Sequence, residues 1–183
     1  MNFLQDMAQL GAEQAAIALS TMLSLEVSVK TLRAVQLTLP EIAAIEKPAA
    51  VRDFVGVHFT LHGSQPGSAL VILSEDHAGE IAHAVRGNGS VGPGLDEMGM
   101  SAIAEIGNVI AGAFFGAARK FVQFPLIHSV PRVVTNRWQP LIGLLKPAVG
   151  RSGESLAMLE CELAVERINA RCFLLIVVGK WTE

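Results

Sequence analysis

The sequence predicts an α/β chain of the α+β kind: a duplicated, pseudo-two-fold domain whose two long helices pack on one face of a shared, mainly antiparallel sheet. Three observations lead there. Residues 2–23 and 98–122 are both long segments carrying an apolar stripe at helical period. Each is followed by a strand, then a short helix, then a pair of strands. Sliding the chain by 99 positions lays Asn2 on Ser101, Asp6 on Glu105, Gln9 on Asn108, Ala12 on Ala111 and Ala18 on Ala117. Residues 1–183 therefore read as one domain of two repeated halves, 1–86 and 95–183, joined by the linker 87–94 with its four glycines and one proline.

Each element has a local reason. In 2–23, the residues Leu4, Met7, Gly11, Ala15, Ala18 and Met22 share a face. Residues 26–39 alternate loosely and carry Val27, Val29 and Val35, which suits a strand. Pro40 opens a short helix over 40–47, in a first turn that tolerates proline. Residues 51–61 form a strand through Val51, Phe54, Val57, Phe59 and Leu61, with one irregularity, and 62–67 supply the turn to a second strand, 68–73. Ser74 reads as an N-cap, with Glu75 and Asp76 in the first turn and His77 at N3, for a helix reaching about Val85. After the long helix, 124–134 is a strand that Pro125 and Pro131 confine to an edge or an irregular position. A helix over 138–149, broken at Pro147, and a turn at 150–154 precede two closing strands, 155–165 and 171–178, which turn near Asn169.

Composition narrows the function. Half the residues are apolar (51%) and 17% are charged, which favours a packed core over disorder. The net charge of −3 comes without a basic patch, which argues against nucleic acid. Cys161 and Cys172 have no C-x-x-C spacing and read as free, buried thiols of a cytoplasmic protein. The N-terminal apolar run lacks a basic lead and is interrupted by Asp6 and Glu13, so no signal peptide is expected. No stretch reaches the roughly 18 apolar residues of a membrane span, so no membrane insertion is expected. His58, His62, His77, His83 and His128 show no ligand spacing, and no metal site is expected. The linker lacks the Lys-Ser/Thr of a phosphate loop. The methionines Met1, Met7, Met22, Met98 and Met100 read as core and rim packing.

What remains is the second long helix. At about 100° per residue, Ser101, Glu105 and Asn108 fall within roughly 60° of one another. Ile103, Ile106, Ile110, Phe114, Ala117 and Phe121 occupy the other side. The helix thus buries one face and shows a carboxylate and a carboxamide on the other, with no His or Cys beside them. Such a pair can grip a partner and orient a water. Ser101 is open to a second reading as an early-turn or capping residue. Gly107 and Gly112 are open to a second reading as helix-packing positions.

The segment Gly94-Leu-Asp-Glu-Met-Gly-Met-Ser101-Ala-Ile-Ala-Glu105-Ile-Gly-Asn108 resembles the CheC/CheX/FliY family of chemotaxis phosphatases, whose signature is Asp or Ser, three residues, Glu, two residues, Asn. The proline usual downstream is matched by Ser129-Val-Pro131. The first helix, through Leu10-Gly-Ala-Glu-Gln-Ala-Ala-Ile-Ala-Leu-Ser20, and the run Leu73-Ser-Glu-Asp-His-Ala-Gly-Glu-Ile-Ala82 are similar to further segments of that family. The resemblance spans nearly the whole chain. It implies a phosphatase acting on the aspartyl phosphate of a CheY-type response regulator, with Asn108 orienting the attacking water and Glu105 pairing with a lysine of the regulator. It implies no cofactor of the chain's own; Mg²⁺ belongs to the partner receiver domain.

Family members often carry the motif on both helices. Here the first copy reads Asn2, Asp6, Gln9. Asp in place of Glu withdraws the carboxylate by about one methylene, Gln in place of Asn extends the amide by as much, and shifts on the order of 1 Å cost about 10²-fold in a positioning mechanism. Glu13 puts an anion where the second helix has Gly112, which leaves the surface low for a partner. One working site is expected, Glu105 and Asn108 with Ser101 and Gly112 in support, beside a degenerate first copy. The alternative is a non-catalytic adaptor that binds a receiver domain or CheD, a receptor deamidase that the resemblance brings in as a partner. A flagellar-switch component of the FliY type is disfavoured, because the chain ends at Glu183 with no room for a further module.

Overall fold

The structure is a computed structural model and describes residues 3–46, 53–63, 66–86, 95–122, 126–145 and 155–179. In chain order the elements are α1 (Phe3–Leu23), β1 (Ser28–Leu37), α2 (Leu39–Ala43), β2 (Phe54–His62), β3 (Gly67–Ser74), α3 (Glu75–Arg86), α4 (Glu97–Ala118), β4 (Ile127–His128), β5 (Arg132–Asn136), α5 (Trp138–Gly143), β6 (Leu156–Val165) and β7 (Ala170–Val178). The linker 87–94, Asn2, Pro125 and Pro147 lie outside the described residues.

The strands form one antiparallel sheet in the order β1-β6-β7-β3-β2, with β4 and β5 both on the far side of β2. This order is a palindrome: exchanging β1 with β5, β2 with β6 and β3 with β7 returns the same sheet. The seam is β3 against β7, from Gly67↔Val178 to Ile72↔Phe173. Both seam strands are covered on both faces, which is why they read as unbroken apolar runs rather than alternating ones.

One face carries α1, α3 and α4 over Val55, Val57, Phe59, Val71 and Leu159, the larger core. The other carries α2 and α5, whose Ile42, Trp138, Leu141 and Ile142 cover Phe54, Leu70, Ile72 and Met158. The long helices thus share one face as expected, and the short ones build a second core on the other. The Trp138 indole N–H donates to the Ile45 carbonyl at 2.9 Å, which satisfies its one polar atom.

Several boundaries differ from the sequence reading. Residues 124–134 make two short pieces, not one strand. At the break, Ser129 N–H donates to the Thr60 carbonyl (2.9 Å), and Thr60 N–H donates to the Ser129 hydroxyl (3.1 Å). A side chain thereby stands in for a ladder carbonyl just before Pro131, which has no N–H to give. Helix α5 stops at Gly143, short of the expected 149. On α1 the buried face is Met7, Ala8, Gly11, Ala12, Ala15, Ala16, Leu19 and Leu23, so Ala18 sits at its margin. The Ser74 cap holds: its hydroxyl accepts from His77 N–H at 3.2 Å. Met98 is exposed rather than packed, at 65%.

Helix α4 corrects the expectation about membrane spans, since by length and composition it is long and apolar enough for one. In this fold its apolar side faces the interior, with Ile103, Ile106 and Ile110 fully buried.

Cys161 and Cys172 are free and buried, diagonal to one another on the adjoining strands β6 and β7. Burial pushes the Cys161 thiol up to about 12 and raises Cys172 as well. Both thiols are expected to resist a water-soluble thiol reagent in the native protein at neutral pH and to react once it unfolds. A rapid native reaction would contradict their burial.

A polar pair, half-buried His58 and buried Ser68, joins β2 to β3 on the α5 face. His58 Nε2 lies 2.6 Å from the hydroxyl of the fully buried Ser68, which also reaches the Leu144 carbonyl at 3.3 Å. Burial, then the neighbouring Arg132 guanidinium, holds the His58 pKa below its usual 6.5. The unfolded chain therefore binds the proton more tightly than the folded one. The stability from neutral His58 is complete above pH 6.5 and is lost as pH falls below it. The melting temperature is expected to drop between about pH 7.5 and 5.5, less so in His58→Gln. An identical drop in the variant would assign it to other groups.

Candidate functional site

The site is built on α4, and the helix is fixed at both ends and in the middle. Asp96 caps it: the carboxylate accepts from Gly99 N–H at 2.6 Å and from Arg86 Nη1 at 2.9 Å. The Gly99 N–H first, and Arg86 second, hold the Asp96 carboxyl below its usual range. Because Arg86 ends α3, this ion pair ties the end of one helix to the start of the next. Asp96, not Ser101, is thus the cap, which removes the capping alternative for Ser101.

In the middle, α4 rests on the Val57 side chain of β2, with no side chain of its own between at Gly107. A Cβ at Gly107 would stand 2.7 Å from Val57. Phe114 fills the space over Gly11 of α1, where a Cβ would meet its ring at 2.6 Å. Further along, Phe115 stacks near His128 of β4 at 5.7 Å between centroids, and His128 meets Phe59 at 5.2 Å. A helix so seated presents its outer face as a rigid element.

On that outer face the structure brings together Ser101, Glu105, Asn108 and Gly112. Ser101 and Glu105 are exposed, and Asn108 is half-buried. Glu105 and Asn108 stand three residues apart, about 4.5 Å along the axis. Among the described residues, none of these three side chains has a hydrogen-bond or ion-pair partner. A carboxylate and an amide are therefore both free to meet a second molecule. At Gly112 and Gly116 an added Cβ would meet nothing within 4 Å. Gly107 is thus a packing glycine, and Gly112 is not. In a helix interior each glycine costs about 1 kcal/mol relative to alanine, and at Gly112 and Gly116 no internal contact offsets it.

The first copy is arranged differently. Asp6 is half-buried, and the exposed Gln9 amide donates to Glu13 Oε1 at 2.6 Å. The anion expected to obstruct this face therefore also occupies its amide. Asn2 lies outside the described residues. No cluster of three or more His, Cys, Asp or Glu suited to a metal occurs among the described residues.

The sequence reading missed Gly116 and Arg119. Both continue the stripe at helical spacing, a signal already present in the segment 98–122.

A palindromic antiparallel sheet with two long helices on one face is the fold this chain shares with solved CheX and FliY structures. No family model matches the sequence. Among solved structures, FliY from Thermotoga maritima is similar at a TM-score of 0.69 and 19% identity, over 96% of this chain and 87% of that one. CheX from Vibrio vulnificus aligns at 0.61 and 19% identity, over 98% and 97%. CheX from Borrelia burgdorferi, in a complex with CheY, BeF₃ and Mg²⁺, aligns at 0.65 and 16% identity, over 96% and 99%.

Proposed function

We propose that this protein hydrolyses the aspartyl phosphate of a CheY-type response regulator. The observation that carries the reading is the uncommitted Glu105–Asn108 pair on the outer face of a rigidly seated helix. It is supported by the fold shared with a CheX whose structure holds CheY. An acyl phosphate is reactive already and lacks mainly a water held in line with the departing carboxylate. The Asn108 amide can accept a hydrogen bond from that water and donate one to a phosphoryl oxygen, without adding negative charge. Water attacks phosphorus, the bond to the aspartyl oxygen breaks, the aspartate leaves as carboxylate and the water's proton passes to phosphate or solvent. Glu105 pairs with a cation of the regulator and sets the register; the pair strengthens as docking excludes water. Ser101 and Gly112 support the approach. Mg²⁺ sits with the partner's phosphoryl group. The same reading makes the chain a cytoplasmic signalling protein built of two repeated halves, 1–86 and 95–183.

The second reading is a binding adaptor for a receiver domain or CheD, supported by the Gln9–Glu13 contact, in which the amide of the other helix is already taken. The deciding experiment follows loss of radiolabelled phosphate from a Mg²⁺-loaded phosphorylated receiver, with and without this protein. Acceleration supports the phosphatase. Binding without acceleration supports the adaptor.

A further inference from the structure

The exposed stripe does not end at Gly112. At about 100° per residue, Arg119 falls in line with Ser101, and Gly116 lies within about 60° of it. Arg119 follows α4 with helical backbone angles, φ −57° and ψ −20°, so its side chain keeps the register of the stripe. It is exposed, and among the described residues no carboxylate pairs with it. Lys120, also exposed, leaves the helix about 100° further round and faces elsewhere. One face of α4 therefore carries an unpaired anion, Glu105, and an unpaired cation, Arg119, about 21 Å apart along the axis.

The face of α1 lacks this polarity. Under the alignment of the two helices, the position of Arg119 is taken by Ser20, whose hydroxyl donates to the Leu25 carbonyl at 2.6 Å. The position of Gly112 is taken by Glu13. The charged side chains of that face, Asp6 and Glu13, are both carboxylates.

We propose, resting on the phosphatase reading above, that Arg119 is a specificity-determining docking residue. It pairs with a carboxylate on the receiver domain whose cation meets Glu105. Two charges of opposite sign at fixed separation admit the partner in one orientation along α4. The reversed orientation sets like charges together, while the face of α1 offers the carboxylate that would meet Arg119 only the neutral, internally bonded Ser20. A cation at a helix C-terminus also complements the macrodipole; that effect acts on stability and leaves KM alone.

The test compares wild type, Arg119→Glu, Lys120→Glu and Asn108→Ala. It measures steady-state dephosphorylation of a phosphorylated, Mg²⁺-loaded CheY-type receiver, and affinity for the same receiver loaded with BeF₃ and Mg²⁺. Arg119→Glu is expected to raise KM and Kd about tenfold, to leave kcat within about twofold, and to flatten the salt dependence of kcat/KM. Lys120→Glu is expected to do far less. Unchanged KM and Kd in Arg119→Glu, or an equal rise in Lys120→Glu, overturns the proposal. A wild-type protein that neither binds nor dephosphorylates the receiver overturns the phosphatase reading itself, and does so before any variant is compared. If the wild type binds without turnover, Kd alone decides the role of Arg119.

Discussion

Asn108→Ala is expected to lower kcat for phosphoryl-aspartate hydrolysis by about 10²-fold or more, the scale on which a lost positioning group acts. Stability should stay within about 0.5 kcal/mol of wild type, because among the described residues the Asn108 amide makes no hydrogen bond that its removal would orphan. Receiver binding should persist, since Glu105 is untouched. Rate assays beside a thermal melt check all three. A variant that keeps most of the wild-type rate would move the chemistry off α4, whereas one that melts early would show that Asn108 holds the helix. Restoring Gln9 to Asn alone should not replace the lost activity, because Glu13 stands in reach of that amide at 2.6 Å in the present arrangement.

The second large effect is a pair of opposite signs on one helix. Gly107→Ala places a methyl 2.7 Å from Val57, which is itself fully buried and has nowhere to move. Overpacking of this kind costs about 1–3 kcal/mol, more than the roughly 1 kcal/mol that alanine returns in helix propensity. The melting temperature should fall by a few degrees or the helix should shift off β2. Gly112→Ala meets open space and should raise stability by about 0.5–1 kcal/mol. Calorimetry of the two variants decides the matter. Two changes of the same sign would mean that α4 does not sit on Val57 as described.

Both helices were legible because an apolar stripe at helical period is a property of the chain itself. The Ser74 cap and the edge position of the segment around Pro131 were legible for the same local reason. What escaped depends on neighbours distant in sequence. Nothing near Gly107 or Gly112 says which lies under a packed strand and which under solvent; Val57 decides it. The His58–Ser68 contact follows from the β2·β3 register, which brings residues ten apart onto adjoining strands. The early end of α5 at Gly143 and the second core beneath it depend on where Trp138 finds Phe54, 5.3 Å between ring centroids. The site's first four residues were readable as a motif. Arg119 was passed over although its spacing puts it on the same face, because it lies beyond the motif and its meaning depends on its lacking a carboxylate partner among the described residues.

The strand order also governs how this molecule must assemble. β1 finds its partner in β6, from Leu37↔Leu156 to Ser28↔Ala164, and β5 finds its partner in β2. Each end of the sheet is thus closed by a strand from the opposite part of the chain. Left to themselves, residues up to Arg86 own the β2·β3 hairpin, and those from Leu95 onward own β6·β7. Neither ribbon can cover its own hydrophobic surface. Folding must therefore bring remote segments together before either part gains much, a topology that slows assembly and makes unfolding all-or-none. Loosening β1 at one rim would then be felt by the whole protein, including the helix that carries Asn108 near the other.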